Sequence, residues 1–337
     1  MRSKRVLGIL ALILIFVCSS APAGPIPALN LSELVGNADL IAIGQVSGIQ
    51  QLERTNINIQ GQSVAARRMS AVLEASRILK GSSDNLTLTF EFVIPQAPLG
   101  YAGIDASQFG MFFLRREPGR GYVVLNPYYP FLVASRKAPA TEGSALNRVV
   151  GEIAQVLLTP GSSTDEQQHA LDVLARVETG LATSAIRIAA QNADTPIRLQ
   201  AVALLIRRND ISMLGGVEDV ILHPPQGLGE GVLRTLTFAI RDGVKDPEAI
   251  PALTRLLVGG DVETRRAAAA ALRHTGSDTA VKALSTALED SDREVRYHAV
   301  LGLAQITGLD EWGPSLELFD RDEERYLAHW RAWVKSK

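Results

Sequence analysis

Five histidines, at positions 169, 223, 274, 298 and 329, are the side chains best suited to bind a metal or pass a proton near neutral pH. No H-E-x-x-H spacing and no His-Glu dipeptide occurs, so the pairings that hold zinc or iron on one helix face are not written here. Cys18 is the only cysteine, and thiol chemistry would hang on that one residue near the start of the chain. G-x-S-x-G, P-loop and G-x-G-x-x-G patterns are missing too. The glycine cluster GLGEG (227–231) follows Pro224-Pro225 and reads as a loop between helices. We therefore expect no catalytic residue, no metal ligand and no cofactor.

The remaining candidate chemistry is basic. Residues 261–276 read DVETRRAAAAALRHTG, with Arg265 and Arg266 side by side and His274 near the end. A helix that reads nucleic acid needs a concentrated basic face. The chain has 34 basic against 36 acidic residues, which argues against a nucleic-acid partner. Removing residues 1–23 would take away three basic and no acidic residues, leaving 31 against 36.

That removal is expected. Arg2, Lys4 and Arg5 precede the apolar run Val6 to Val17, and Ala21-Pro22-Ala23 is a small-residue cleavage signal. This is the pattern of a secretory signal peptide, and the apolar run is shorter than the roughly 20 residues of a spanning helix. Cys18 would leave with it. A lipoprotein signal is the rival, but Val17 is a poor fit before the cysteine. The expectation is an exported chain, periplasmic or extracellular after cleavage near Ala23, with no transmembrane anchor in the mature part.

The elements that could carry a site fall into two kinds. The first half is rich in strand patterns. DLIAIGQVSGI (39–49) marks a buried face with Ile41, Ile43 and Val46; Met69, Ala71, Leu73 and Ala75 alternate within 67–81. Leu86, Leu88, Phe90 and Phe92 alternate within 85–95, and GMFFLRRE (110–117) leads through Glu117-Pro118-Gly119 into GYVVLNP (121–127). Proline then glycine at the centre of that break predicts a type II turn. A short helix is expected at 31–35. Five or six strands in about 100 residues predict a small antiparallel barrel or sandwich. The strand order resembles the oligonucleotide/oligosaccharide-binding (OB) type barrel of netrin-like and metalloproteinase-inhibitor-like modules. Those inhibitors act through a cysteine-rich wedge that this chain lacks, so their activity does not carry over.

The second half repeats itself. At a shift of 31, Asp261, Glu263, Arg265, Ala268 and Leu272 fall on Asp292, Glu294, Arg296, Ala299 and Leu303. DTPIRLQAVALLI (194–206) repeats Asp194, Arg198, Ala201 and Leu205, and weaker copies stand at 164–177 and 229–240. Between them Ile250, Leu253 and Leu257 fall on Val281, Leu284 and Leu288. A fixed period with two helices per unit predicts an α-helical solenoid. Asp261 should cap its helix and Gly276 should close it. Arg266 does not recur, being Leu199 and Tyr297 in the other copies, and is expected to be free in solvent. In 322–337, Leu327, Trp330 and Val334 form one stripe flanked by Tyr326 and Trp333, as expected of a cap on the open end.

These units resemble the short HEAT-like repeats of the phycobilisome lyase type. The resemblance implies that Arg198, Arg265 and Arg296 form a ladder pairing with neighbouring carboxylates or backbone oxygens. HEAT-like deoxyhypusine hydroxylases carry His-Glu iron ligands, which are missing here. The fold expected is thus β then α: a small antiparallel β-barrel-like domain followed by an α-α solenoid of HEAT-like repeats. The divisions are signal peptide 1–23, barrel 24–134, linker and leading helix 135–160, solenoid 161–321 and capping helix 322–337. The function expected is a non-catalytic scaffold or adaptor that binds a protein partner in the groove of the second helices. Arg187, Arg255, Lys282 and Thr286 are the outward positions there. The alternative is an envelope enzyme accessory or lyase-like protein with a ligand between barrel and solenoid.

Overall fold

The computed structural model describes residues 27–59, 61–96, 101–140, 142–192 and 195–337. The expected signal peptide and Asp194 lie outside the described residues. Helix α1 (Leu31–Asn37) starts where Asn30 Oδ1 accepts the Glu33 N–H at 3.1 Å. Six strands follow: β1 (Leu40–Ile59), β2 (Gln62–Lys80), β3 (Thr87–Pro95), β4 (Phe109–Glu117), β5 (Gly121–Val124) and β6 (Phe131–Leu132). Their order is β1-β2-β3-β5-β4-β6, and β1 also pairs with β4, so five strands close a ring. Every pairing is antiparallel except β3 with β5. The β4–β5 turn has the expected form: Gly119 sits at φ +76° and the Arg120 N–H reaches Glu117 O at 3.1 Å. Closure requires β1 to bend. It does so at a register shift at Gly44, where a Cβ would lie 2.2 Å from the Glu74 carbonyl oxygen.

β1 and β4 are buried on both faces. Leu40, Ala42, Phe112 and Leu114 fill the barrel with Leu73, Leu88, Phe90 and Phe92. Ile41, Ile43, Met111 and Phe113 point the other way, into one core with Val149, Val150 and Ile153 of α2 (Ala145–Leu158). The alternation expected in β3 holds from Leu88 onward, whereas Leu86 lies before the strand and is half exposed.

The rest is helical: α3 (Thr164–Leu174), α4 (Gly180–Asn192), α5 (Thr195–Arg207), α6 (Leu214–Leu222), α7 (Glu230–Gly243), α8 (Ile250–Gly259), α9 (Val262–His274), α10 (Val281–Ala287), α11 (Arg293–Thr307), α12 (Leu316–Arg321) and α13 (Glu323–Lys335). One layer is made by α5 on α7, α7 on α9 and α9 on α11. The other contains α2 on α4, α6 on α8 and α10 on α13, so α2 belongs to the solenoid as well as to the sheet. Across that junction Glu152, 2% exposed, accepts two hydrogen bonds from Arg77 at 2.6 and 2.5 Å. A buried ion pair of this kind fixes orientation more than it adds stability.

Helix α9 explains its alanines. Asp261 caps it, accepting the Thr264 N–H at 2.8 Å, and Gly276 follows it at φ +59°. Its apolar residues are not confined to one stripe. Ala267 through Leu272 are all buried, because α7 and α11 flank the helix in its own layer while α8 and α10 cover it from the other. A helix enclosed this way can approach its neighbours closely only with small side chains, and alanine costs least in helix propensity.

Candidate partner-binding surface

The two layers carry their charges differently. On the first-helix layer Arg265 and Arg296 are tied to the next unit. Arg265 donates to Asp290 at 2.8 and 3.1 Å and to Gly260 O at 3.3 Å. Arg296 donates to Glu323 at 2.6 Å and to the carbonyls of Asp290 and Ser291 at 2.7 and 2.9 Å. Arg198, the third member of the recurring set, is not free either. The ladder expected of Arg265 and Arg296 is therefore present.

Arg266 is not the free residue that its lack of recurrence implied. Its guanidinium donates to Asp292 at 2.9 and 2.7 Å and to Glu263 at 3.0 Å. Asp292 also accepts the Glu294 and Val295 N–H groups at the start of α11. Its bonds to Arg266, with those N–H groups, hold the carboxyl at about 2. The same bond pushes the Arg266 guanidinium up. Recurrence missed this pair because Asp292 recurs as a cap, whereas Arg266 exploits its second oxygen.

Arg208, which the repeat pattern did not single out, donates to three carbonyls at the end of α3, those of Leu174, Ala175 and Val177, at 3.0 to 3.2 Å. Beside it, Asn209 holds φ +60° and accepts the Lys245 and Asp246 N–H groups. It joins Gly276 and Gly308 as left-handed residues just past first-layer helices. His298 and His329 serve packing. Burial pushes His298 down to about 4, and His329 stacks on Trp312 with centroids 3.6 Å apart. Among the described residues no group of three or more His, Cys, Asp or Glu side chains could hold a metal, and no helix is long and apolar enough to cross a membrane.

The second-helix layer presents a different face. Arg187 on α4 and Arg255 on α8 both reach toward α6. Arg187 meets Asp210, just before α6, at 2.6 Å, and Arg255 grips Glu218 with bonds of 2.5 and 2.7 Å. Glu218 is 7% exposed while the Arg255 side chain is 59% exposed, so the guanidinium lies over a sunken carboxylate. Lys282 and Thr286 stand one turn apart on α10, and Thr286 Oγ1 donates to Lys282 O at 3.2 Å. Both line a shallow cleft with Trp333 and Val334 of α13. The four expected residues thus lie along one layer but are not gathered at a single point. Only Lys282 and Thr286 share a cleft. Asp210 and Glu218 were missed because nothing in the repeat spacing links α6 to these positions, and Trp333, expected beside the stripe of the cap, was not linked to Lys282 and Thr286.

Between those charges the layer exposes aliphatic side chains: Leu181 and Ile188 on α4, and Val258 on α8 at 72%. The space between barrel and solenoid, where the alternative puts a ligand, is filled by Ile41, Ile43, Met111 and Phe113 against α2. Compared with known families, residues 229–304 and again 250–334 match HEAT repeats. No curated protein is significantly similar to the chain.

Proposed function

We propose that the protein is an exported, non-catalytic scaffold that holds a protein partner on the outer face of its second helices. HEAT repeats commonly bind proteins, and the helical half carries them. The observation that carries the reading is the contrast between layers. Arg265, Arg266 and Arg296 keep a third or less of their side chains exposed, whereas Arg187 and Arg255, although also paired with carboxylates, stay about half exposed on α4 and α8 beside the exposed Leu181, Ile188 and Val258. Exposed aliphatics near a few fixed charges suit a protein surface better than a small polar ligand. Export rests on the signal-peptide pattern of residues 1–23, and the division into barrel, linker, solenoid and cap follows the sequence boundaries above. We infer that the barrel is of the OB type, which its five-strand closure and the β3–β5 pairing support. The short 31-residue period supports the lyase-type subfamily of the repeats.

The test is affinity capture from the exported fraction with the full chain as bait and the Arg255→Ala/Lys282→Ala variant beside it. The expected result is a specific partner retained by the wild type and reduced roughly tenfold by the variant. Equal retention by both would remove the second-helix face from the account.

A further inference from the structure

The hairpin of β1 and β2 outruns the barrel. β3 pairs with β2 only as far as Ala66, opposite Pro95, and β4 pairs with β1 only from Leu40 to Gln45. Two more bonds, between Val46 and residues 107–108, end that side. From Ser47 to Ile59, then, no strand among the described residues lies along the outer edge of β1. Register shifts at 46–48 and 51–53 twist the near part of this edge, which is one way proteins blunt such edges. From Glu53 to Ile59 the register is unbroken, with no proline or lysine. Those residues span about 23 Å. Beyond Ala65, whose carbonyl accepts the Gln96 N–H at 2.9 Å, the arm is a ribbon of two strands among the described residues, an arrangement that is marginal alone in water.

The arm also carries a charge conflict. Arg54 faces Arg67 directly across the ladder, and both are exposed. Like charges in that position destabilise a strand pair. By contrast, Arg68 and Arg120 each meet a carboxylate. Among the described residues none pairs with Arg54 or Arg67.

We propose that this edge receives an extended acidic segment of a protein partner, which adds as a further strand to β1 and places carboxylates over Arg54 and Arg67. Main-chain bonds to the free edge supply affinity, and alternate acidic side chains supply recognition. A second copy of the chain fits worse. Arm-to-arm pairing about a two-fold axis normal to the ribbon keeps like faces together and would set four such arginines on one side. The proposal concerns the arm alone and does not depend on the helical face.

The test uses the full chain and three fluorescein-labelled eight-residue probes in anisotropy titrations. The first alternates threonine and glutamate, the second is the same peptide N-methylated at alternate residues on its pairing edge, and the third replaces glutamate by lysine. The expected result is saturable binding of the first probe only. Arg54→Glu should weaken it by roughly tenfold or more while leaving thermal stability equal or higher, since the new acid faces Arg67. Arg255→Ala/Lys282→Ala should leave probe binding unchanged, which separates this site from the helical face. Failure of the first probe to bind, equal binding of the N-methylated probe, or unchanged binding by Arg54→Glu would each overturn the proposal. So would concentration-dependent dimerisation that Arg54→Glu strengthens without any probe binding.

Discussion

Arg265 and Arg266 are adjacent in sequence and alike in chemistry, and each bonds a different aspartate of the same turn. Arg265 takes Asp290 and Arg266 takes Asp292. Asp290 is pushed up by burial, but the bonds from Arg265 and the Asp292 N–H outweigh that and leave it lowered overall. Both guanidiniums are two-thirds or more covered, so solvent screens them less than an ordinary surface pair. Arg266→Ala is therefore expected to cost about 1–2 kcal/mol in urea unfolding, as hydrogen bonds to charged groups do. Arg265→Ala should cost a similar amount. A loss within the scatter of ordinary surface substitutions would show Arg266 to be free after all. Recurrence identified Arg265 and Arg296 because their task repeats from one unit to the next. It could not identify Arg266, whose partner is a cap that recurs for another reason.

At the level of elements, periodicity made most of the molecule legible. The alternating residues of β2 and β3, the turn at Pro118-Gly119 and the cap at Asp261 all follow from local rules and occur as expected. Two things were not local. β1 and β2 extend past the apolar pattern to Ile59 and Gln62, because the bulged and mostly polar stretch 50–56 interrupts the alternation before Asn56-Ile57-Asn58-Ile59 resumes it. The burial of α9 on all sides depends on α7, α8 and α11 of the neighbouring units, which spacing within one unit does not encode. The aromatic stripe of α13 belongs to the legible part. Trp330 is fully buried and its Nε1–H donates to Trp312 O at 3.2 Å, with α13 packed on α10 and α11. That is how a terminal helix closes an open solenoid end. Trp330→Ala should lower the unfolding free energy by about 3–5 kcal/mol, read as a fall in Tm together with new dye-binding apolar surface. An unchanged Tm would assign the aromatic stripe to partner binding instead.

Across the whole molecule, the barrel and the solenoid share a core through α2, and the Arg77–Glu152 pair fixes how they meet. The arm and the second-helix face are therefore held at a set geometry, and a partner that touches both would gain from that fixed spacing. The repeats suggest a scaffold or protein-interaction role for the helical half, and the proposal above takes the second-helix side as the one offered. Site-specific photo-crosslinking in the exported fraction tests this most directly, with a benzophenone side chain placed in turn at Val258, Thr286 and Glu263. The account predicts that Val258 and Thr286, on the second-helix layer, crosslink to the same partner, while Glu263 on the first layer gives none. Crosslinks from Glu263 with none from Val258 or Thr286 would contradict it.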